Sequence, residues 1–256
     1  MVHLRIVAPR ELAHAALALL EHAADRAERQ AAGAPADAVI WEEVTERTSE
    51  ESAMSATYLV FIVLAGLIAS VGIYLNSAIL IVGAMVVRPE FGPIAGVCVA
   101  VVQRRPDLAV RSLVALAIGF PLAIGAVLLS SLIFKATGIT PDAFNAASHS
   151  LSETIAKPDF FAAFVAFCAG VAGMLSLTTA KSGALIGVLI SVTTIPAAAN
   201  VGISAAYGDW SSFGGSIGQL GLNIASLLVA GVLTLAIQRA LFLRRRALHA
   251  AQRAAS

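Results

Sequence analysis

Two ionisable residues inside an apolar run are where this sequence could first do chemistry. Arg88 and Glu90 lie within NSAILIVGAMVVRPEFGPIAGVCVAV, twelve residues past Asn76 and twelve before Val102. Charge at mid-bilayer depth is costly, and such groups face a cavity or a partner. Pro89 and Pro93 each remove a backbone donor, and Gly92 admits unusual dihedrals, so a helix should break here. A broken helix offers N–H groups on one side and carbonyls on the other, suited to an anion and a cation respectively. Residues two apart do not face each other on a helix, so Arg88 and Glu90 would each pair with another segment. Substrate or ion binding is one reading of this constellation. A structural kink lining a wet vestibule is the other.

A second polar interruption repeats the theme. Thr193-Thr194-Ile195-Pro196 and Asn200 hold the equivalent place in a later apolar run. Pro196 strips a backbone bond, and threonine hydroxyls can re-satisfy freed carbonyls; such pairs also bend helices with no ligand involved. Gln219 and Asn223, one turn apart, fit interhelical hydrogen bonding better than ligand binding. His14 and His22 share a helical face without further ligands, far short of a zinc site. Cys98 and Cys168 lie in apolar runs and read as small buried residues. No Ser/His/Asp order, phosphate-binding loop or zincin motif occurs. The expectation is no enzyme, no metal and no cofactor.

The elements that must position these residues follow from composition. The chain has 256 residues, 58% apolar and 13% charged, with a mean hydropathy of +0.84. Ten of the sixteen acids fall within residues 1–51. A chain charged at one end and apolar over its next two hundred residues has bilayer as its solvent. Six apolar segments are expected: Thr57–Leu75, Ala78–Val102 with the interruption at Arg88–Pro93, Leu108–Phe134 with Pro121 inside, Phe160–Thr179, Gly183–Tyr207 and Ile217–Ile237. The result is an all-α polytopic membrane protein with six transmembrane helices, residues 52–240.

Ahead of it, residues 1–51 read as a short soluble α/β-like segment. His3–Val7 would be a strand, Pro9 would open a helix running through Glu21, and Ala38-Val39-Ile40-Trp41 through Val44 would be a second strand. No apolar leader segment is seen there. Residues 241–256 form a basic tail, and the run from Arg239 to Ser256 sums to +5. A basic run directly after an apolar segment suits anionic lipid better than nucleic acid. Loop charge sets the orientation. With a cytoplasmic N-terminus, nine basic residues fall inside and only Lys135 and Lys157 outside, which places both termini in the cytoplasm. Tyr207, Trp210 and Phe213 would then sit at the outer interface.

Phe61–Gly66 resembles Val165–Gly170, and Ser77–Ile81 resembles Ser182–Ile186, at offsets of 104 and 105. Three spans per half would make the second half inverted, an arrangement found in transporters with interrupted helices at matching positions. Segments rich in Ala, Gly, Leu and Ile also resemble one another by composition alone.

Three stretches carry a likeness to known proteins. They are Ala38–Val44 with Thr48–Ser52, the run Gly83-Ala84-Met85 with Pro89–Pro93, and Arg111–Pro121. In these the chain resembles the hydrophobic membrane proteins of domain-of-unknown-function family 389, in the branch found in GC-rich, actinobacteria-like genomes. The resemblance covers about residues 38–240 and implies a multi-span bundle without a settled activity. Relatives have a longer N-terminal α/β region and place a small residue where Arg88 stands. The resulting expectation is a multi-pass protein of the bacterial inner membrane that moves or gates an ion or small polar solute, with room for a homo-oligomer. The rival is a membrane-anchored sensor or scaffold whose cytosolic head binds a ligand or protein.

Overall fold

The computed structural model describes residues 41–87, 89–140, 150–178 and 194–255. The chain divides into two compact units, Met1–Ala38 and Val39–Ser256. The first unit lies outside the described residues, and with it the expected strand at His3–Val7 and the helix through Glu21.

Among the described residues the second unit contains helices and no strand. They are α1 Trp41–Glu51, α2 Ala56–Tyr74, α3 Ala78–Val87, α4 Phe91–Gln103, α5 Pro106–Thr137, α6 Ser150–Ile155, α7 Phe160–Thr178, α8 Thr194–Tyr207 and α9 Trp210–Ala255. The long helices are apolar on every face. On α2, Ile62, Ala65, Ala69 and Ile73 are buried while Val60, Phe61, Leu64 and Ile68 point outward. Apolar side chains all round a helix call for apolar surroundings on all sides. Helices α2, α5, α7 and α9 as far as Arg244 are long and apolar enough to cross a membrane. Helices α3 and α4 together make a fifth candidate, bent by 50°.

Against the six spans expected, the described residues supply four or five. The expected span Gly183–Tyr207 is described only from Thr194 onward. Its described part, α8, has 14 residues and rises about 21 Å, short of the roughly 30 Å hydrocarbon core. The loop around Ser148 also lies outside the described residues.

The two short helices sit at the centre. Every residue from Phe91 to Ala100 is buried, as is nearly every residue of α8. Helix α8 packs on α2, α5 and α9, and α4 packs on α5, α9 and α1. One core cluster joins Ile62, Ile94, Phe120, Val127, Ile195 and Ile203. Another joins Val44, Phe91, Val99, Met174 and Leu235.

Three sequence readings need correction. The second expected strand is helix from Trp41 onward. Val44 and Thr48, four apart, are buried on one side of it, and that spacing makes a helical face. Pro93 does not break a helix from within, since it is the third residue of α4; the residues preceding α8, on which the reading of Pro196 turns, lie outside the described residues. The first four N–H groups of a helix have no intrahelical acceptor, so a proline there removes nothing. The break itself lies between Val87 and Phe91, with Pro89 inside it. Finally, the helix that carries the last apolar segment does not end near Ile237. Helix α9 runs 46 residues, from Trp210 into the basic tail. Pro121 does lie inside a continuous α5, as expected.

Candidate functional site

The site is built where α4 and α8 begin. Glu90 occupies the cap position just before α4, and Thr194 is the first residue of α8. Glu90 is 4% exposed and Thr194 2%. The Thr194 hydroxyl donates to Glu90 Oε1 at 2.8 Å, across a sequence separation of 104.

The two helices leave this point in opposite directions. The far end of α4 lies beside the late part of α9, where the Arg239 guanidinium donates to the Val102 carbonyl. The far end of α8 lies beside the start of α9, one short turn before Trp210. Two helices therefore meet at one buried carboxyl. Helix α4 presents the positive end of its peptide dipoles there, which favours negative charge at that point.

Gly92 sets how closely this centre is approached. A Cβ there would stand 2.4 Å from the Glu51 carbonyl oxygen, so the last residue of α1 rests on the first turn of α4. Gly96, one turn on, is equally tight: a Cβ would meet Ser112 Oγ at 2.2 Å and Ser52 Cβ at 2.9 Å. At its other end α1 is tied by Thr45, which accepts from Gln103 Nε2 at 2.7 Å. Helix α1 thus lies along the whole of α4.

Asn200 belongs to a different group. Its side chain accepts from the Ser152 hydroxyl at 2.8 Å and donates to Ser216 Oγ at 2.8 Å. All three residues are fully buried. Less than one turn deeper on α9, Gln219 donates to Asn223 at 3.1 Å within the helix itself. The Asn200–Ser216 bond fixes the register of antiparallel α8 and α9. Asn223 lies seven residues past Ser216, about 10 Å along α9. That is the level of the start of α8, and so of Glu90.

Of the residues singled out by sequence, the structure joins Glu90 to Thr194 and places Gly92 beside them under α1. Asn200 stands apart on the far half of α8. Arg88 and Thr193 lie outside the described residues. Sequence reasoning missed Ser152 and Ser216, which carry no pattern beyond their types. It also missed the docking of α1, although Val44 and Thr48 at helical spacing were visible. Among the described residues no group of His, Cys, Asp or Glu could hold a metal ion.

The family model described as domain of unknown function (DUF389) matches residues 85–229, more than half the chain and both short helices. The chain belongs to this family. An uncharacterized protein of Methanocaldococcus jannaschii is 26% identical over 165 residues, covering 64% of this chain and 49% of the relative. The chain therefore spans about half the length of the relative it matches. No solved structure matches it.

Proposed function

We propose that this DUF389 protein is a non-enzymatic transporter or channel that carries an ion or small polar solute across the bacterial inner membrane. Glu90 and Thr194 form its binding centre. The observation that carries the reading is the buried Thr194–Glu90 hydrogen bond, which joins the break between α3 and α4 to α8. Interrupted helices meeting end to end are how transporters place polar groups and helix dipoles at the middle of a bilayer. A carboxyl held there by the start of α4 and a hydroxyl can take up a cation, a proton or a donor group of a solute.

Element spacing supports the 3+3 inverted repeat. Helices α2 and α7 both have 19 residues, beginning at Ala56 and Phe160, 104 apart. Helices α5 and α9 begin at Pro106 and Trp210, again 104 apart. Helices α4 and α8 each carry proline third and leave the centre in opposite directions. On this reading the chain crosses the membrane six times, and both termini lie in the cytoplasm. The Arg244–Arg246 run would then sit on anionic lipid.

Flux measured in reconstituted vesicles tests the centre. Glu90→Gln keeps the shape and removes the ionisable group. Uptake or conductance is expected to fall at least tenfold, or to lose its pH dependence, with the melting transition retained. Normal flux through a well-folded Glu90→Gln protein would remove Glu90 from the mechanism.

A further inference from the structure

A cleft of about 680 Å³ opens where α1, the α4–α5 turn and late α9 come together. Its lining includes two carboxylates, Glu46 and Glu50, two guanidinium groups, Arg105 and Arg239, and the apolar Phe242 and Leu243. The volume lies within the range of small-molecule sites.

Its place along the helices decides what reaches it. Arg105 immediately precedes α5 and Gln103 ends α4, while Arg239 to Leu243 close the apolar stretch of α9 that ends at Arg244. The cleft therefore sits where two candidate spans reach the edge of the apolar layer. A ligand there meets water on one side and acyl chains on the other. The side chains are held without being used up. Arg239 spends one donor on the Val102 carbonyl and Arg105 one on Asp107 at 3.2 Å, and a guanidinium has five.

We propose that this cleft binds a phosphate ester bearing a primary ammonium group, the chemistry of phosphoethanolamine. Arg105 and Arg239 take the phosphate, since guanidinium matches phosphate geometry. Glu46 and Glu50 take the ammonium, and acyl chains cover Phe242 and Leu243. The source can be the headgroup of phosphatidylethanolamine or the free ester in solution. Neither source depends on the transport reading.

The test uses the full chain in detergent. Native mass spectrometry follows retention of phosphatidylethanolamine, phosphatidylcholine and phosphatidylglycerol, with free O-phosphoethanolamine as competitor. Phosphatidylethanolamine should be retained at least fivefold over phosphatidylcholine, whose quaternary ammonium cannot donate a hydrogen bond, and over phosphatidylglycerol, which has none. Glu46→Gln with Glu50→Gln should erase that preference and leave phosphatidylglycerol bound as before. These two residues are exposed, so the variant should fold. Arg105→Gln with Arg239→Gln should lose all three lipids. Displacement by millimolar free ester would assign the site to the soluble source, and retention against it would assign the lipid. Equal retention of the three lipids by the wild-type protein, with no effect of free ester, would overturn the proposal. So would an unchanged preference in the glutamine variant.

Discussion

Thr194 has one hydroxyl proton to give, and it gives it to Glu90. Replacing it by valine keeps the shape and leaves a buried oxygen without that donor. A hydrogen bond to a charged group contributes about 1.5–3 kcal/mol, so Thr194→Val should lower stability by that order in thermal or denaturant melting. Flux should fall with it. Loss of stability alone would mark the bond as a tie between helices. At Gly92 the constraint is steric. An alanine Cβ would press on the Glu51 carbonyl, which is backbone and cannot swing aside. Gly92→Ala should cost about 1–3 kcal/mol, the range for overpacking, whereas Gly83→Ala, open on all sides, should be neutral or stabilising. Both show in one melting series. These residue types drew attention in the sequence because charge, proline and glycine are rare company in an apolar run. Their partners were not visible. Nothing in the letters around Ser152 or Glu51 says which helix they will touch, since that depends on how the elements fold back.

At the scale of elements, Pro93 marks a helix start. Pro93→Ala should change stability by less than about 1 kcal/mol, because this proline displaces no intrahelical bond. A large loss would restore the reading of a strained kink. Arg104 ends α4 in the left-handed region at φ 58°, while the Arg105 N–H closes the turn on the Ala100 carbonyl at 2.9 Å. A residue with a Cβ is strained there. Arg104→Gly should raise stability by about 1 kcal/mol. Element boundaries of α2, α5 and α7 were legible to within a few residues, because apolar composition has an abrupt edge. Helix α1 was not. Ala38-Val39-Ile40-Trp41 has strand-like residues, and the helical face that follows uses Val44 and Thr48, too few to outweigh them. The end of α9 was not legible either. Arginine and alanine favour helix, so the change from apolar to basic residues ends the apolar layer without ending the helix.

Across the whole molecule, two buried half-length helices are wrapped by longer ones, and the proposed six-span arrangement makes a direct prediction. Reporter fusions at Ser256 and near Ser148 should report opposite sides of the membrane. The same side for both would exclude an even number of spans with the loop outside. Helix α9 adds a mechanical consequence. Its 46 residues make a rod of about 69 Å, more than twice the roughly 30 Å hydrocarbon thickness. A rod that leaves the membrane without a joint carries its charges away from it at a fixed pitch. Arg253, nine residues past Arg244, stands about 13 Å farther along the axis, beyond the 8–10 Å reach of a screened surface potential. Arg244→Gln with Arg245→Gln and Arg246→Gln should therefore weaken attachment to anionic vesicles, and Arg253→Gln should not. The same continuity sets the outer end of α9 and Asn223, on the level of Glu90, on one helix.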